Sequence, residues 1–261
     1  DLKNCKYGEH ASNLGAIIAY DLSKDYNIPA FIADPVTVDE MDKLAKFTGL
    51  KGLERRSIFH ALNQKYIARK FSKEHGKKYE DLNLIVVHMG GGISIGVHKN
   101  GRVIDVNNAL NGDGPYSPER AGTLPTLSLA GLCFSNKYSK MEMLKNLAGK
   151  GGFVSHLGTN NALEAEKRAL NGDSKAKLII DGMIYQISKG IGEASSVLKG
   201  KVNAIIFTGG IAKSEFITSE IKNYIDYIAP VFIYPGENEM EALSENVFRV
   251  LKGEIKPSVY E

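Results

Sequence analysis

LIVVHMGGGISIGVHKNGRVIDV, residues 84–106, is the stretch whose reading decides the fold. Leu84, Ile85, Val86 and Val87 form an unbroken apolar run, the pattern of a strand covered on both faces. His88 and Met89 close the run, and Gly90, Gly91 and Gly92 follow at once. Three glycines let backbone N–H groups approach an anion with no side chain in the way. Ile93 to His98 reads as a second strand and Arg102 to Val106 as a third. Asn100-Gly101 between them supplies the positive φ angles of a two-residue hairpin turn. In a Rossmann unit the glycine turn leads directly into a helix, so this stretch is of another kind. A second strand-then-glycine element, AIIFTGGI, occupies residues 204–211. A glycine triplet alone is also an ordinary tight turn. Two such turns at strand ends point to a phosphate-handling cleft, because α/β sheets bind ligands beyond the carboxyl ends of their strands.

Working outward, helices are expected from Ser12, over 39–47, over 57–71, over 127–134, over 140–147 and over 163–170. The longest runs over 175–198, with Ile179, Met183, Ile187, Ile191, Ala194 and Leu198 at helical spacing. Two more are expected over 214–225 and 240–251, and strands over 29–33 and 231–234. Residues 107–125 carry four glycines and prolines between Gly112 and Pro118, then Gly122 and Pro125, and read as a long loop. A loop of that length inside a compact domain usually has a task. Strands alternating with helices around one hairpin give an α/β fold with a mixed sheet and flanking helices.

The chain has 261 residues, 43% of them hydrophobic, so it can bury a sizeable core in one large or two small domains. Its net charge is +3, and the 33 basic residues are scattered rather than gathered in a stripe with aromatics, which argues against nucleic acid. Cys5 and Cys133 lie in unrelated segments and read as free thiols of a reducing compartment. No apolar run is long enough to cross a bilayer and no signal peptide is visible, so a cytoplasmic protein is expected.

Several residues stand out chemically. Asp34 follows a short apolar run, where a carboxylate can hold Mg²⁺ beside phosphates; an Asp-Pro turn is the plainer reading. His60, at a helix start, is either a surface residue or a donor to a transferring phosphoryl oxygen. His88 ends a buried strand and is otherwise a hydrogen-bonded core histidine. Arg120, fenced by Pro118 and Gly122, can be held rigidly with its guanidinium fork matched to phosphate or carboxylate; an ion pair with Glu119 is the alternative. Glu237, Glu239 and Glu241 alternate after Pro235-Gly236, where carboxylates commonly complement a helix dipole.

These pieces, in this order, resemble the superfamily of acetate and sugar kinases, heat-shock ATPases and actin. Within it they resemble the acetate kinase family, most closely its butyrate kinase branch. The carrying segments are GEHASNLG (8–15), IPAFIADPVTVDEM (28–41), RRSIFHALNQKYIA (55–68), residues 86–125, HLGTN (156–160), FTGGIAKSEF (207–216) and PGENEMEAL (235–243). The resemblance implies an actin-like, ribonuclease H-like ATPase lobe and phosphorylation of a short-chain carboxylate by ATP, giving an acyl phosphate and ADP. On matching positions, Arg120 would stabilise the phosphoryl group or the acid's carboxylate, and His60 would hydrogen-bond an equatorial oxygen. Asp34 would organise Mg²⁺ or the attacking carboxylate, with Glu239 as a second metal-side acid. His88 and Gly90, Gly91 and Gly92 would sit at the phosphates. Thr159, Asn160, Gly209, Gly210 and Ile211 would line the nucleotide.

Gln64 stands where acetate kinases proper carry a second histidine, and GGG replaces their GNG. Both departures favour butyrate or a branched-chain acid over acetate, with an acetate or propionate kinase of the same family as the alternative. The family's initial strand-glycine element is not found, so residues 1–35 are expected to be a remnant of a first lobe, most of which is lacking. Residues 36–234 would form the second, nucleotide-binding lobe, and 235–261 would return toward the first. The resemblance also implies a homo-oligomer. A non-catalytic nucleotide-binding module of the same superfamily is the competing reading.

Overall fold

The structure is a computed structural model that describes residues 11–110 and 112–258. The chain runs α1 (Ala11–Tyr26), α2 (Lys43–Lys46), α3 (Ala61–Glu74), β1 (Leu84–Met89), β2 (Ile93–Lys99), β3 (Arg102–Val106), then α4 (Thr126–Cys133) and α5 (Lys140–Leu147). It continues through α6 (Gly152–Leu157), α7 (Ala162–Leu170), α8 (Ser174–Val197), β4 (Ala204–Gly209), α9 (Glu215–Ile225), β5 (Val231–Pro235) and α10 (Glu239–Leu251). The five strands make one mixed sheet in the order β3-β2-β1-β4-β5. β1 pairs antiparallel with β2 and parallel with β4, and β4 pairs parallel with β5. The hairpin forms as expected, with Asn100 at φ 52° and Gly101 at φ 74°.

The alternation of side chains along β1 sorts the core into two layers. Ile85, Val87 and Met89 face Ile180, Met183, Ile184, Ile187 and Ile191 of α8 and Ile217 and Ile221 of α9. Leu84 and Val86 face Tyr66, Ile67 and Phe71 of α3 and Ala242 of α10. Each of these large apolar side chains contributes about 1.5–3 kcal/mol by leaving water. The same alternation turns His88 and, on β4, Thr208 to the α3 side, away from the α8 layer. α8 and α9 start where the sequence supplies caps: Asp173 accepts from the Ala176 N–H and Ser214 from the Ile217 N–H.

Three expectations need correction. Residues 29–33 form no strand, and Ile32 is 59% exposed. An apolar run becomes a strand only beside a strand that takes its hydrogen bonds, and the sheet edges β3 and β5 do not pair with it. The helix expected over 39–47 shrinks to α2, and the one expected from Ser57 starts at Ala61, with His60 at its N-cap. The glycine-rich segment 149–161 contains α6. Gly152 there has φ 56°, and a Cβ would collide with the Ser117 carbonyl oxygen, so the glycine permits α6 to close on the 114–123 loop. Cys133 is exposed with its thiol free; Cys5 lies outside the described residues.

The two glycine turns touch. Gly209 has φ 87°, and a Cβ there would overlap the carbonyl of Met89, whereas a Cβ on Gly210 would meet nothing within 4 Å. Gly209→Ala is therefore expected to lower the unfolding free energy by about 2–4 kcal/mol and Gly210→Ala to change it by less than about 0.5 kcal/mol. Urea denaturation of the two variants beside the parent chain checks this.

Candidate active site

β1, β4 and β5 are parallel, and all three end in glycine: Gly90 follows β1, Gly209 closes β4 and Gly236 follows β5. Gly209 and Gly236 exchange reciprocal N–H···O bonds of 3.1 and 2.9 Å. The Gly90 N–H donates to the Gly92 carbonyl at 3.0 Å. The strand ends are thus stitched into one glycine floor, with Gly91 and Gly210 exposed.

α3 supplies one wall. Its N-cap residue His60 stacks on His88, with ring centroids 3.7 Å apart and planes 9° from parallel. His60 Nδ1 lies 2.9 Å from Ser94 Oγ on β2, and His88 Nδ1 lies 2.8 Å from Asn63 Oδ1. Asn63 donates through Nδ2 to the carbonyls of Gly236 and Glu237, tying α3 to the end of β5. Gln64, fully buried, donates to the Ser94 carbonyl and hydroxyl and accepts from His98 Nε2 at 3.1 Å; His98 Nδ1 meets the Tyr79 hydroxyl at 2.7 Å. Burial pushes His98 down to about 3, helped by the positive Lys65 and Arg69. Burial also holds His88 well below the ordinary imidazole range, with His60 adding to the effect. Both imidazoles are therefore neutral at neutral pH.

The 107–125 loop supplies the opposite wall. Arg55 fastens its base through Asp105 and Asp113, both at 2.9 Å. Ser117 Oγ donates to the Gly91 carbonyl at 2.5 Å, and the Glu119 N–H reaches the same carbonyl at 3.4 Å. Glu119 in turn accepts from Asn160 Nδ2 at 2.7 Å. Arg120 is half-buried, and its Nε is a buried donor with no hydrogen-bond partner. Its side chain borders a small recess of mixed lining, with Ile93, Leu110, Pro115 and Leu147 beside Asn108 and Asp113. A guanidinium donor left open there fits an anion.

The expected residues divide as follows. His60 and His88 meet directly, and the Gly90–Gly92 turn, Arg120's loop and Asn160 meet through Glu119 and Ser117. Gly209, Gly210 and Ile211 lie at the end of β4 against Met89. Thr159 donates to Glu164 at the start of α7. Asp34 has a different setting from the expected one. It lies between Lys65 at 3.3 Å and Arg69 at 3.7 Å on α3, with Asn246 of α10 at 3.5 Å. Of the two carboxylates ahead of α10, Glu237 reaches the glycine floor: its Oε1 lies 3.8 Å from where a Gly90 Cβ would be. Partial desolvation raises Glu237, and Glu239 beside it adds to the rise. Among the described residues no group of three or more His, Cys, Asp or Glu side chains forms a metal cage. A Mg²⁺ carried on phosphates needs only one or two carboxylates, and the Glu237–Glu239 pair fits that demand better than Asp34 does. Asn63 and Ser94 escaped the reading of the sequence; a lone amide or hydroxyl carries no motif, and only their contacts mark them.

The fold is that of solved acetate and propionate kinases. The chain superposes on Porphyromonas gingivalis acetate kinase with a TM-score of 0.81 at 18% identity, covering 95% of this chain and 71% of that one. It superposes on a propionate kinase from Francisella tularensis subsp. tularensis SCHU S4 with a TM-score of 0.77 at 19% identity, covering 94% and 71%. For Entamoeba histolytica acetate kinase the TM-score is 0.79 at 16% identity, covering 94% and 73%. The sequence pattern of the Acetokinase family matches residues 45–229, more than two thirds of the chain, and the chain belongs to that family. No helix among the described residues is long and apolar enough to cross a membrane.

The buried imidazoles make folding sensitive to acid. His98 binds a proton near pH 6.5 in the unfolded chain but only near pH 3 when folded, and His88 is displaced the same way. Below pH 6.5 the unfolded state therefore holds more protons, so stability present above that pH is lost as the pH falls. Each imidazole gives a slope approaching about 1.4 kcal/mol per pH unit. Urea midpoints measured from about pH 7.5 down to about pH 5 are expected to fall steadily, and His98→Gln is expected to remove a large share of the slope.

Proposed function

We propose that this chain transfers the γ-phosphoryl group of ATP to a short-chain carboxylate, giving an acyl phosphate and ADP, reversibly and without a covalent enzyme intermediate. The observation that carries this reading is the open Nε of Arg120 beside a small recess and the glycine floor. A carboxylate is already ionised at neutral pH, so no general base is required. One carboxylate oxygen attacks the γ-phosphorus, the bond to the β–γ bridging oxygen breaks, and ADP departs with that electron pair. What the protein supplies is position and compensating charge. Arg120 holds the acid's carboxylate or the phosphoryl oxygens, His60 donates to an equatorial oxygen, and the backbone of Gly90, Gly91 and Gly92 receives phosphate. Gly209, Gly210, Ile211, Asn160 and Thr159 border the nucleotide. Bound Mg²⁺ would neutralise phosphate charge; Glu237 and Glu239 are the residues that would hold it, with its waters. Asp34, compensated by Lys65 and Arg69, would order the wall formed by α3 and α10.

Butyrate or a branched four-carbon acid is the substrate we favour, on Gln64 and the GGG turn. Acetate and propionate kinases share the fold, and one methylene changes discrimination by only about 1–3 kcal/mol. We also take residues 36–234 as one lobe, with 1–35 and 235–261 serving a second, and the working form as a homo-oligomer.

Trapping acyl phosphate as the hydroxamate from MgATP and a panel of acetate, propionate, butyrate and isobutyrate tests the proposal. Turnover is expected with all four and highest with the four-carbon acids. Arg120→Ala is expected to lower kcat/KM by about 10²–10³-fold, with Arg120→Lys recovering little of it. No product from any acid would sink the kinase reading for this chain and favour a non-catalytic nucleotide-binding module.

A further inference from the structure

Asn63 and Gln64 are neighbours on α3, yet each serves a different member of the stacked histidine pair. The orientation of each amide follows from its other contacts. Asn63 Nδ2 lies 2.6 Å from the Glu237 carbonyl and 3.4 Å from that of Gly236. Carbonyls only accept, so the NH₂ group must face them and Oδ1 must face His88. Oδ1 has no proton to give. The 2.8 Å contact therefore requires a proton on His88 Nδ1, which leaves Nε2 of the neutral ring unprotonated. That Nε2 points at the glycine floor, 3.2 Å from where a Gly90 Cβ would be.

The same logic gives His60 the other form. Gln64 Nε2 lies 3.1 Å from the Ser94 carbonyl and 2.7 Å from Ser94 Oγ, so its NH₂ group faces Ser94 and Oε1 faces His98. The next links agree: His98 donates through Nε2 to Oε1 and accepts through Nδ1 from the Tyr79 hydroxyl. Ser94 Oγ thus already accepts one proton from Gln64. Ser94 is fully buried, and an idle hydroxyl hydrogen there would cost about 1–3 kcal/mol. The acceptor the structure offers it is His60 Nδ1 at 2.9 Å. With Nδ1 accepting, the proton of a neutral His60 sits on Nε2.

We infer that Asn63 and Gln64 are positioning residues that impose opposite tautomers on the stacked pair: Nε2–H on His60 and Nδ1–H on His88. Nε2 then carries a proton on His60 and a lone pair on His88. A phosphoryl oxygen needs a donor, so His60 is the imidazole suited to it. The His88 lone pair repels an anion and suits a donor instead. The tautomer assignment is independent of the proposed reaction; only its kinetic consequence rests on that reading.

The test is long-range ¹H–¹⁵N correlation on the ¹⁵N-histidine-labelled full chain without substrate, with rings assigned by single substitution. The parent chain is expected to show Nε2–H for His60 and Nδ1–H for His88. Finding both rings in the same form, or the two forms exchanged, overturns the inference without any variant having to fold. Gln64→Glu places a carboxylate against the Ser94 hydroxyl, which then donates away from His60; His60 is expected to move to Nδ1–H. Asn63→Ala is expected to release His88 from Nδ1–H. If either ring keeps its form in its folded variant, the amide does not set it and the inference fails for that ring. In the acyl-phosphate assay, Gln64→Glu is expected to lower kcat about 10²-fold with the KM for ATP little changed. A parent chain with no activity would defeat the kinase proposal, while the spectra would still decide the tautomers.

Discussion

The approach of Gly209 to the Met89 carbonyl is the contact on which the site depends. β1 and β4 run parallel in register, Val87 opposite Phe207 and His88 opposite Thr208, so their ends arrive at the same level. A side chain at Gly209 would force them apart. Once they meet, β5 closes on the other side through the Gly209–Gly236 bonds, and the ends of three strands share one floor. The 84–106 hairpin then has a single way to face. Its first turn lies on that floor, and β2 carries Ser94 back to the α3 wall.

The two walls are held by different physics. α3 is fixed to the sheet by apolar packing of Tyr66, Ile67 and Phe71 and, at its N-terminal end, by amides whose every group is engaged. Buried amides and hydroxyls are costly unless all partners are present, so a satisfied chain from Tyr79 to His60 admits few alternative geometries. The loop wall is anchored by Tyr116, which packs on the core beneath α8 and donates to the Ile179 carbonyl. It is fastened by the half-buried Arg55 between Asp105 and Asp113, and by Ser117 on the Gly91 carbonyl. Arg120 Nε in the loop and Arg69 Nη2 on α3 are the two buried side-chain nitrogens without a partner among the described residues.

The helices α5, α8 and α9 and the three-strand hairpin unit were legible because their signals are local: a capping residue followed by helical spacing, or alternation interrupted by Asn-Gly. The strand expected at 29–33 failed because pairing is not a local property. Asp34 and Glu239 show a related limit. Position after a strand, or ahead of a helix, marked them as acids near a site. It could not tell that Lys65 and Arg69 flank the first, or that Glu237 turns to Gly90 ahead of its neighbour. Arg120 and His60 were found because arginine in a fenced loop and histidine at a helix start are unusual enough to be noticed singly.

The mixed sheet and the glycine turns were legible in the sequence, because alternation and φ preference belong to each residue and its immediate neighbours. That His88 lies on the α3 side of the sheet follows from how the helices pack. Only the tertiary structure decided which nitrogen each histidine offers and which carboxylate reaches the floor. Asn63 is oriented by carbonyls more than 170 positions away, and Gln64 by a serine 30 positions away. No local pattern encodes such partners; hydrogen-bond direction is set where the chain folds them together.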